Sequence, residues 1–299
     1  MPFVAHPDVP AHPRFTAMAE KIGLVEMYQH PSGHPWIYGR GGSAASSGSH
    51  VPPSTTFVRN REVRVVVTDV RDGTARLAGL IQEAEQVDHL DGVAKTLTGS
   101  SLMFASCGGT TRAQGTMSAT SAVFWARVGG TVIVSDDQHT LRLLTGCAVD
   151  PAELVVRMSS AEVNHPFSGG VVWEGVHEVP PGSWLRCGRD AAPHTVSWWG
   201  PPAPDSGIDV LAPVLREGIR AAVADAVPDG HGVSADLSGG LDSTTLSFFL
   251  REIHPDLHTV FFSSTDPANT DALWSSRAAA ELESSHHVLS HDAGPRGCS

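Results

Sequence analysis

The sequence predicts two units of different class, α/β plus β-rich: a β-rich α+β region over residues 1–200, then a parallel α/β unit over residues 208–299. Three observations carry this. Short β-branched and apolar runs, punctuated by Gly and Pro turns, fill the first two thirds. Trp198-Trp199-Gly-Pro-Pro-Ala-Pro204 breaks that pattern, and residues 201–207 read as a linker. After the break, strand and helix patterns alternate, which is how a parallel sheet is written. A chain of 299 residues suits about two domains, and 41% hydrophobic residues suffice for two cores.

In chain order, His30-Pro-Ser-Gly-His-Pro-Trp36 is a turn entering a short strand, and the Gly/Ser-rich run Arg40 to Pro53 reads as a mobile loop. Val63 to Val70 is β-branched and predicts a strand; Arg76 to Val87 predicts a helix. Ser100 to Phe104, Ala122 to Val128 and Thr131 to Val134 predict strands, the last two joined by a Gly129-Gly130 hairpin. Asp136-Asp137 reads as a solvated turn in preference to a metal pair. Pro151 to Met158 predicts a helix. Gly170 to Val179 and Ser183 to Cys187 predict strands around the turn Pro180-Pro181-Gly182. Past the linker, Val210 to Val227 predicts a helix with Leu211, Val214, Leu215 and Ile219 on one face. A strand from Val233 to Leu237, a helix ended by His254-Pro255, a strand from Leu257 to Phe262, a helix from Thr270 to Glu283 and a strand at His287 to Leu289 follow. In His286-His287, one ring is expected to be buried at the strand entry.

The chemistry concentrates in Ser238-Gly239-Gly240-Leu241-Asp242-Ser243, between a strand and a helix. Adjacent glycines let backbone N–H groups approach a ligand where a Cβ would obstruct. A helix N-terminus offers unpaired N–H groups and the positive end of its dipole, so the turn suits an anion. It is neither G-x-x-x-x-G-K-[ST] nor G-x-G-x-x-G, and no lysine follows Lys95. Ser238 and Ser243 add hydroxyl donors. Asp242 adds a carboxylate, a hard oxygen donor.

A net charge of −12 argues against a nucleic-acid or membrane-surface binder. No apolar run reaches the ~18 residues of a membrane span, and the N-terminus lacks signal-peptide order. Cys107, Cys147, Cys187 and Cys298 are widely spaced, as in reduced thiols of a cytoplasmic protein. His30 and His34 stand i, i+4, but Pro31 and Pro35 forbid a helix, so they read as turn histidines.

The segment from Ser238 to Ser243 resembles the PP-loop of ATP pyrophosphatases, which cleave ATP to AMP and pyrophosphate. Val176-His-Glu-Val-Pro-Pro-Gly-Ser-Trp-Leu185 resembles a hairpin of the N-terminal domain of asparagine synthetases. Ser135-Asp-Asp-Gln-His-Thr-Leu-Arg-Leu-Leu144, Asp271-Ala-Leu-Trp-Ser-Ser-Arg277 and His286-His287 resemble further segments of that superfamily. The resemblance implies a glutaminase-like, Ntn-type α+β domain followed by a PP-loop synthetase domain. It implies ATP and Mg²⁺, with Ser238, Gly239, Gly240, Asp242 and Ser243 on the nucleotide phosphates and Asp242 on the metal. The implied reaction activates a carboxylate as an acyl-adenylate and passes it to an amine.

Residue 2 is Pro2, where the glutaminase of that family needs a cysteine nucleophile, so glutamine hydrolysis is not expected. His30-Pro-Ser-Gly-His-Pro-Trp36, Leu144-Thr-Gly146 and Trp198-Trp199 resemble lasso peptide cyclases, which close a macrolactam within a peptide. That implies a peptide substrate and a leader-peptide-binding or protease partner; an amino-acid carboxylate is the substrate if the chain is instead a homologue of glutamine-hydrolysing asparagine synthase. The family's later acidic segment, acidic/tyrosine pair and lysine have no counterpart here. The synthetase unit is therefore expected to be C-terminally truncated, and a non-catalytic nucleotide-binding fragment stands as the rival from another class. The catalytic residues are not assigned.

Overall fold

The computed structural model describes residues 3–40, 55–68, 73–97, 101–159, 171–188, 192–201, 207–227, 232–266 and 268–290. The Arg40 to Pro53 loop, most of the 201–207 linker, Pro2 and the residues after Ser290 fall largely or wholly outside them. The chain divides into two compact units, Met1–Pro202 and Ala203–Ser299.

The first unit runs β1 (Phe3–Ala5), α1 (Pro13–Lys21), β2 (Leu24–Gln29), β3 (Pro35–Arg40), β4 (Thr55–Arg59), β5 (Arg64–Thr68) and α2 (Gly73–Leu80). A 3-10 turn at Val87–Leu90 leads into α3 (Asp91–Ala94). Then come β6 (Met103–Cys107), β7 (Thr110–Gln114), β8 (Phe124–Val128), β9 (Thr131–Ser135), α4 (Gln138–Thr145) and α5 (Pro151–Ser159). β10 (His177–Glu178), β11 (Ser183–Gly188) and β12 (His194–Ser197) complete it. Two six-stranded sheets form, ordered β10-β8-β9-β1-β3-β2 and β12-β11-β7-β6-β5-β4, and every strand pair in them is antiparallel.

The sheets pack face to face through Phe3, Trp36, Val134, Val66, Phe104 and Leu185. On the outer face of the first sheet, Phe15 and Ala19 of α1 meet Leu141 and Leu144 of α4. On the outer face of the second, Leu77, Ile81, Leu90 and Val93 cover Val65 and Val67. The unit is thus four layers, helix–sheet–sheet–helix. This explains why the β5 run does not alternate polar and apolar. Val66 faces the other sheet while Val65 and Val67 face helices, so both sides of the strand are buried.

Two expectations change here. Asp136-Asp137 is not a solvated turn. Asp136 accepts the Phe3 N–H at 2.7 Å, and Asp137 caps α4, accepting from the N–H groups of His139 and Thr140. The strand expected over Gly170 to Val179 shrinks to β10 and one bridge, Val149 to Trp173, because Gly175, at φ +69°, turns the chain.

The second unit runs α6 (Ile208–Ala226), β13 (Ser234–Asp236), α7 (Leu241–Ile253), β14 (His258–Phe262), α8 (Asp271–Leu282) and β15 (Ser285–Leu289). Its sheet is parallel, ordered β13-β14-β15. The molecule is therefore a mixed α/β protein with several sheets. The expected apolar face of α6 is only partly used: Val223 is buried while Leu211, Val214 and Leu215 stand exposed. In α7 the fully buried residue is Ser247, whose hydroxyl folds back onto the Ser243 carbonyl at 2.8 Å, and Leu246 is about half exposed. A small side chain there lets the helix lie close on its sheet.

Candidate functional site

The loop after β13 is built by three constraints. Leu237 is fully buried; its N–H donates to the Val260 carbonyl at 2.8 Å, and its own carbonyl accepts from the Ser275 hydroxyl at 2.6 Å. One residue thus ties the loop to β14 and to α8. Gly239 has φ +82°, the left-handed region. A Cβ there would stand 2.8 Å from both the Asp271 carbonyl oxygen and the Ser275 nitrogen, so backbone occupies the space a side chain needs. Gly240 is extended and is the N-cap of α7.

The serines close the loop from within. The two hydroxyls of Ser238 and Ser243 are 2.7 Å apart, and Ser243 Oγ also accepts the Ser238 N–H at 3.1 Å. Gly240 donates its N–H to Ser238 Oγ at 3.3 Å. The first intrahelical bond of α7 runs from Thr244 N–H to the Gly240 carbonyl. Ahead of it, the N–H groups of Leu241, Asp242 and Ser243 meet no acceptor among the described residues; they are the open, positive end of the helix. The structure therefore brings Ser238, Gly239, Gly240, Asp242 and Ser243 together, with different duties. The serines shape the turn, Gly239 lets the loop pack on α8, and Asp242 stands exposed in the first turn.

The site lies at the carboxyl ends of parallel strands, where open α/β sheets bind ligands. A cavity of about 520 Å³ opens beside the loop, lined by Gly239, Gly240, Thr244, Trp274, Arg277 and Glu281 among others. The Arg277 guanidinium lies over the Trp274 ring, 5.1 Å from its centroid. Arg251 is directed elsewhere: it donates to the Leu282 carbonyl at 2.8 Å, capping α8. Trp274, Ser275 and Arg277 fall inside a segment marked by resemblance, yet only the fold shows that α8 forms one wall of the loop.

His286 and His287 diverge. His286 bridges Thr259 Oγ1, at 2.9 Å, and Ser275 Oγ, at 3.3 Å, so it buttresses the loop from behind; burial holds its pKa below the usual histidine range. His287 stacks on His258 across β14 and β15.

Gly239 is fixed by close packing on α8, and the unpaired helix amides of α7 fit a phosphate-bearing ligand. No cluster of three or more metal-binding side chains occurs among the described residues. The exposed Asp242 carboxylate fits the donor set of Mg²⁺, which commonly takes one or two carboxylates beside a nucleotide.

In the first unit, burial pushes the Cys187 thiol up to about 12 and raises that of Cys107, which donates to the Glu85 carbonyl. Neither is a thiolate at neutral pH. Glutamine incubated with the chain is expected to yield glutamate no faster than a protein-free control. Turnover above that control, measured by coupled glutamate oxidation, overturns this.

Residues 214–294 match the family model described as Asparagine synthase, a family that uses ATP. No curated protein matches the chain. Among solved structures the chain is similar to glutamine phosphoribosylpyrophosphate amidotransferase from B. subtilis, complexed with ADP and GMP. The identity is 10% and the TM-score 0.41, over 97% of this chain and 81% of that one. It is also similar to a structure described as the allosteric regulatory enzyme of purine biosynthesis, with 11% identity and a TM-score of 0.35, over 86% and 67% of the two chains. Among the described residues, no helix is long and apolar enough to cross a membrane.

Proposed function

We propose that the second unit binds ATP through residues 238–243 and serves carboxylate activation in an AMP-forming amide ligase, with lasso-peptide macrolactam closure as the specific reaction. The observation that carries it is the open N-terminus of α7, whose first N–H groups are unpaired, at the end of a loop that the left-handed Gly239 packs tightly on α8. The match of residues 214–294 to Asparagine synthase supports an ATP-dependent amide ligase. The resemblance of His30 to Trp36, Leu144 to Gly146 and Trp198-Trp199 to lasso cyclases supports the narrower reading.

In this reading a substrate carboxylate oxygen attacks the α-phosphorus of ATP, and the bond to the β-phosphate breaks to release pyrophosphate. The amine nitrogen then attacks the activated carbonyl, AMP leaves, and the amine loses a proton. The chain's own part is electrostatic. Helix amides of α7 would hold phosphate oxygens, Arg277 would contribute positive charge, and Asp242 would hold Mg²⁺, which when bound would offset the charge of the departing pyrophosphate. A first unit of glutaminase-like, Ntn-type fold without its nucleophile belongs to the same reading, as does a leader-peptide-binding or protease partner.

Asp242→Asn tests the metal role. Mg²⁺-dependent tightening of ATP binding, read by titration calorimetry, is expected to fall by about tenfold or more in the variant, while ATP without metal binds as in the parent. Equal Mg²⁺ dependence in both proteins removes Asp242 from the metal.

A further inference from the structure

The first unit holds a second cavity, of about 640 Å³, on the outer, helix-covered face of its second sheet. That size is in the usual range for small-ligand sites, roughly 300–1,000 Å³. Its walls come from α3 and the residues after it, from the end of β7, and from Trp198-Trp199-Gly200. The tryptophan pair is fixed, because the N–H groups of Trp198 and Trp199 both donate to the Gly182 carbonyl, at 3.0 and 3.2 Å.

Beside the hydroxyls of Ser101, Thr116 and Ser118, the wall carries nitrogen donors. Arg112 is fully buried and donates through Nε to Gln114 Oε1 at 2.9 Å, and through Nη2 to the same oxygen. A guanidinium has no acceptor, so Gln114 must offer it the oxygen and turn its NH₂ the other way. Gln114 lines the cavity, and among the described residues nothing accepts from that NH₂. The Trp198 ring lines the cavity, while its indole nitrogen is closed to solvent, with no acceptor among the described residues. Lys95, one of only two lysines in the chain, is exposed in the same wall, and among the described residues it has no ion-pair partner. Among the described residues, no Asp or Glu lines the cavity. The nearby acids are neutralised: Asp91 by Arg112 at 2.7 Å, Asp88 by Arg186 at 2.8 Å. Leu97, Met117 and Trp199 supply the apolar remainder.

We propose that this cavity is a binding site for a carboxylate carried next to an apolar side chain, received by Lys95 and the Gln114 amide, with the Trp198 ring beside it. A free amino acid and the C-terminus of a peptide share that chemistry. The site does not depend on the nucleotide reading of the second unit. In a chain of net charge −12, a wall whose described residues include a lysine and no carboxylate repels such an anion little.

The test uses the full chain with indole-¹⁵N tryptophan, the Trp198 signal being assigned by Trp198→Phe. N-acetyl-leucine is expected to shift that signal saturably, with N-acetyl-leucinamide weaker by about tenfold or more. Ala-Ala-Leu beside its C-terminal amide forms the peptide arm, and the tighter acid names the source. Gln114→Glu keeps an oxygen for Arg112 but replaces the NH₂ by a negative oxygen, so it is expected to abolish the shift. Lys95→Met, at an exposed position, is expected to weaken it about tenfold without touching the fold. An unmoved Trp198 signal, equal binding of acid and amide, or unchanged binding by both variants overturns the proposal.

Discussion

Gly239→Ala is expected to remove nucleotide binding, lowering affinity for ATP·Mg²⁺ by about 100-fold or more. Two effects act together. The left-handed φ of +82° costs a residue with a Cβ about 1 kcal/mol or more. The added carbon would also stand 2.8 Å from backbone atoms of Asp271 and Ser275, which cannot yield as a side chain end can. The loop must therefore move away from α8, and with it the amides that face the ligand. Gly232→Ala is the control: its Cβ meets nothing within 4 Å, and binding is expected to be unchanged. The measurement is equilibrium binding of a fluorescent ATP analogue, with tryptophan emission verifying that the first unit stays folded. Parental affinity in Gly239→Ala would place the nucleotide elsewhere.

The second large effect concerns acid stability of the first unit, where two buried groups act in opposite directions. His30 is fully buried, and its Nε2 lies 2.8 Å from the His6 carbonyl, which can only accept. Nε2 therefore carries the proton, and Nδ1 accepts from the Ser106 hydroxyl at 2.6 Å. Burial lowers the His30 pKa to about 4. The unfolded chain takes up this proton first, so stability falls as pH drops from about 6.5 to about 4, by about 3 kcal/mol. Asp136 runs the other way. Burial raises its pKa to about 6, so its contribution is fully present below the unfolded value and is lost as pH rises through 6. With partial solvent access that amounts to about 2 kcal/mol.

Between pH 4 and 6 the two should largely cancel. Asp136→Asn removes one of them. The variant is expected to gain about 2 kcal/mol on the parent between pH 4 and pH 7, about 4–8 °C in Tm for a unit of this size. Six of the seven tryptophans lie in the first unit, so thermal melts followed by tryptophan emission report on it. A Tm difference that does not change with pH would show that Asp136 is already ionised at pH 4.

What the sequence made legible, and what it hid, divides by physical cause. The Gly129-Gly130 hairpin between β8 and β9 and the order strand, loop, helix, strand, helix, strand after Val233 are both written in local signals, and both are present. β7 was hidden because Thr110-Thr-Arg-Ala-Gln114 carries a buried arginine and glutamine where a strand usually shows apolar residues. Arg112 is satisfied there by Gln114, the Val87 carbonyl and Asp91, partners that only the folded chain supplies. α1 was hidden because it is short and buries only Phe15 and Ala19. α4 did carry signals, an Asp137 N-cap and a left-handed Gly146 after its last turn, which were outweighed by the acidic pair. At the candidate site the loop residues were legible and their surroundings were not. Ser275, His286 and Arg277 reach the loop through tertiary packing that no spacing encodes.

β13 stands at the edge of its sheet, three residues long and paired on one side only among the described residues. Its amides should therefore be among the first in the second unit to exchange with deuterium, opening far more often than those of β14, which is flanked on both sides. The loop that this strand ends in would then spend part of its time unformed, and a ligand would have to select the closed form. Bound phosphate would act as mortar: its signature would be slowed deuterium uptake at Ser234 to Gly240, with the two β-sheets of the first unit unchanged.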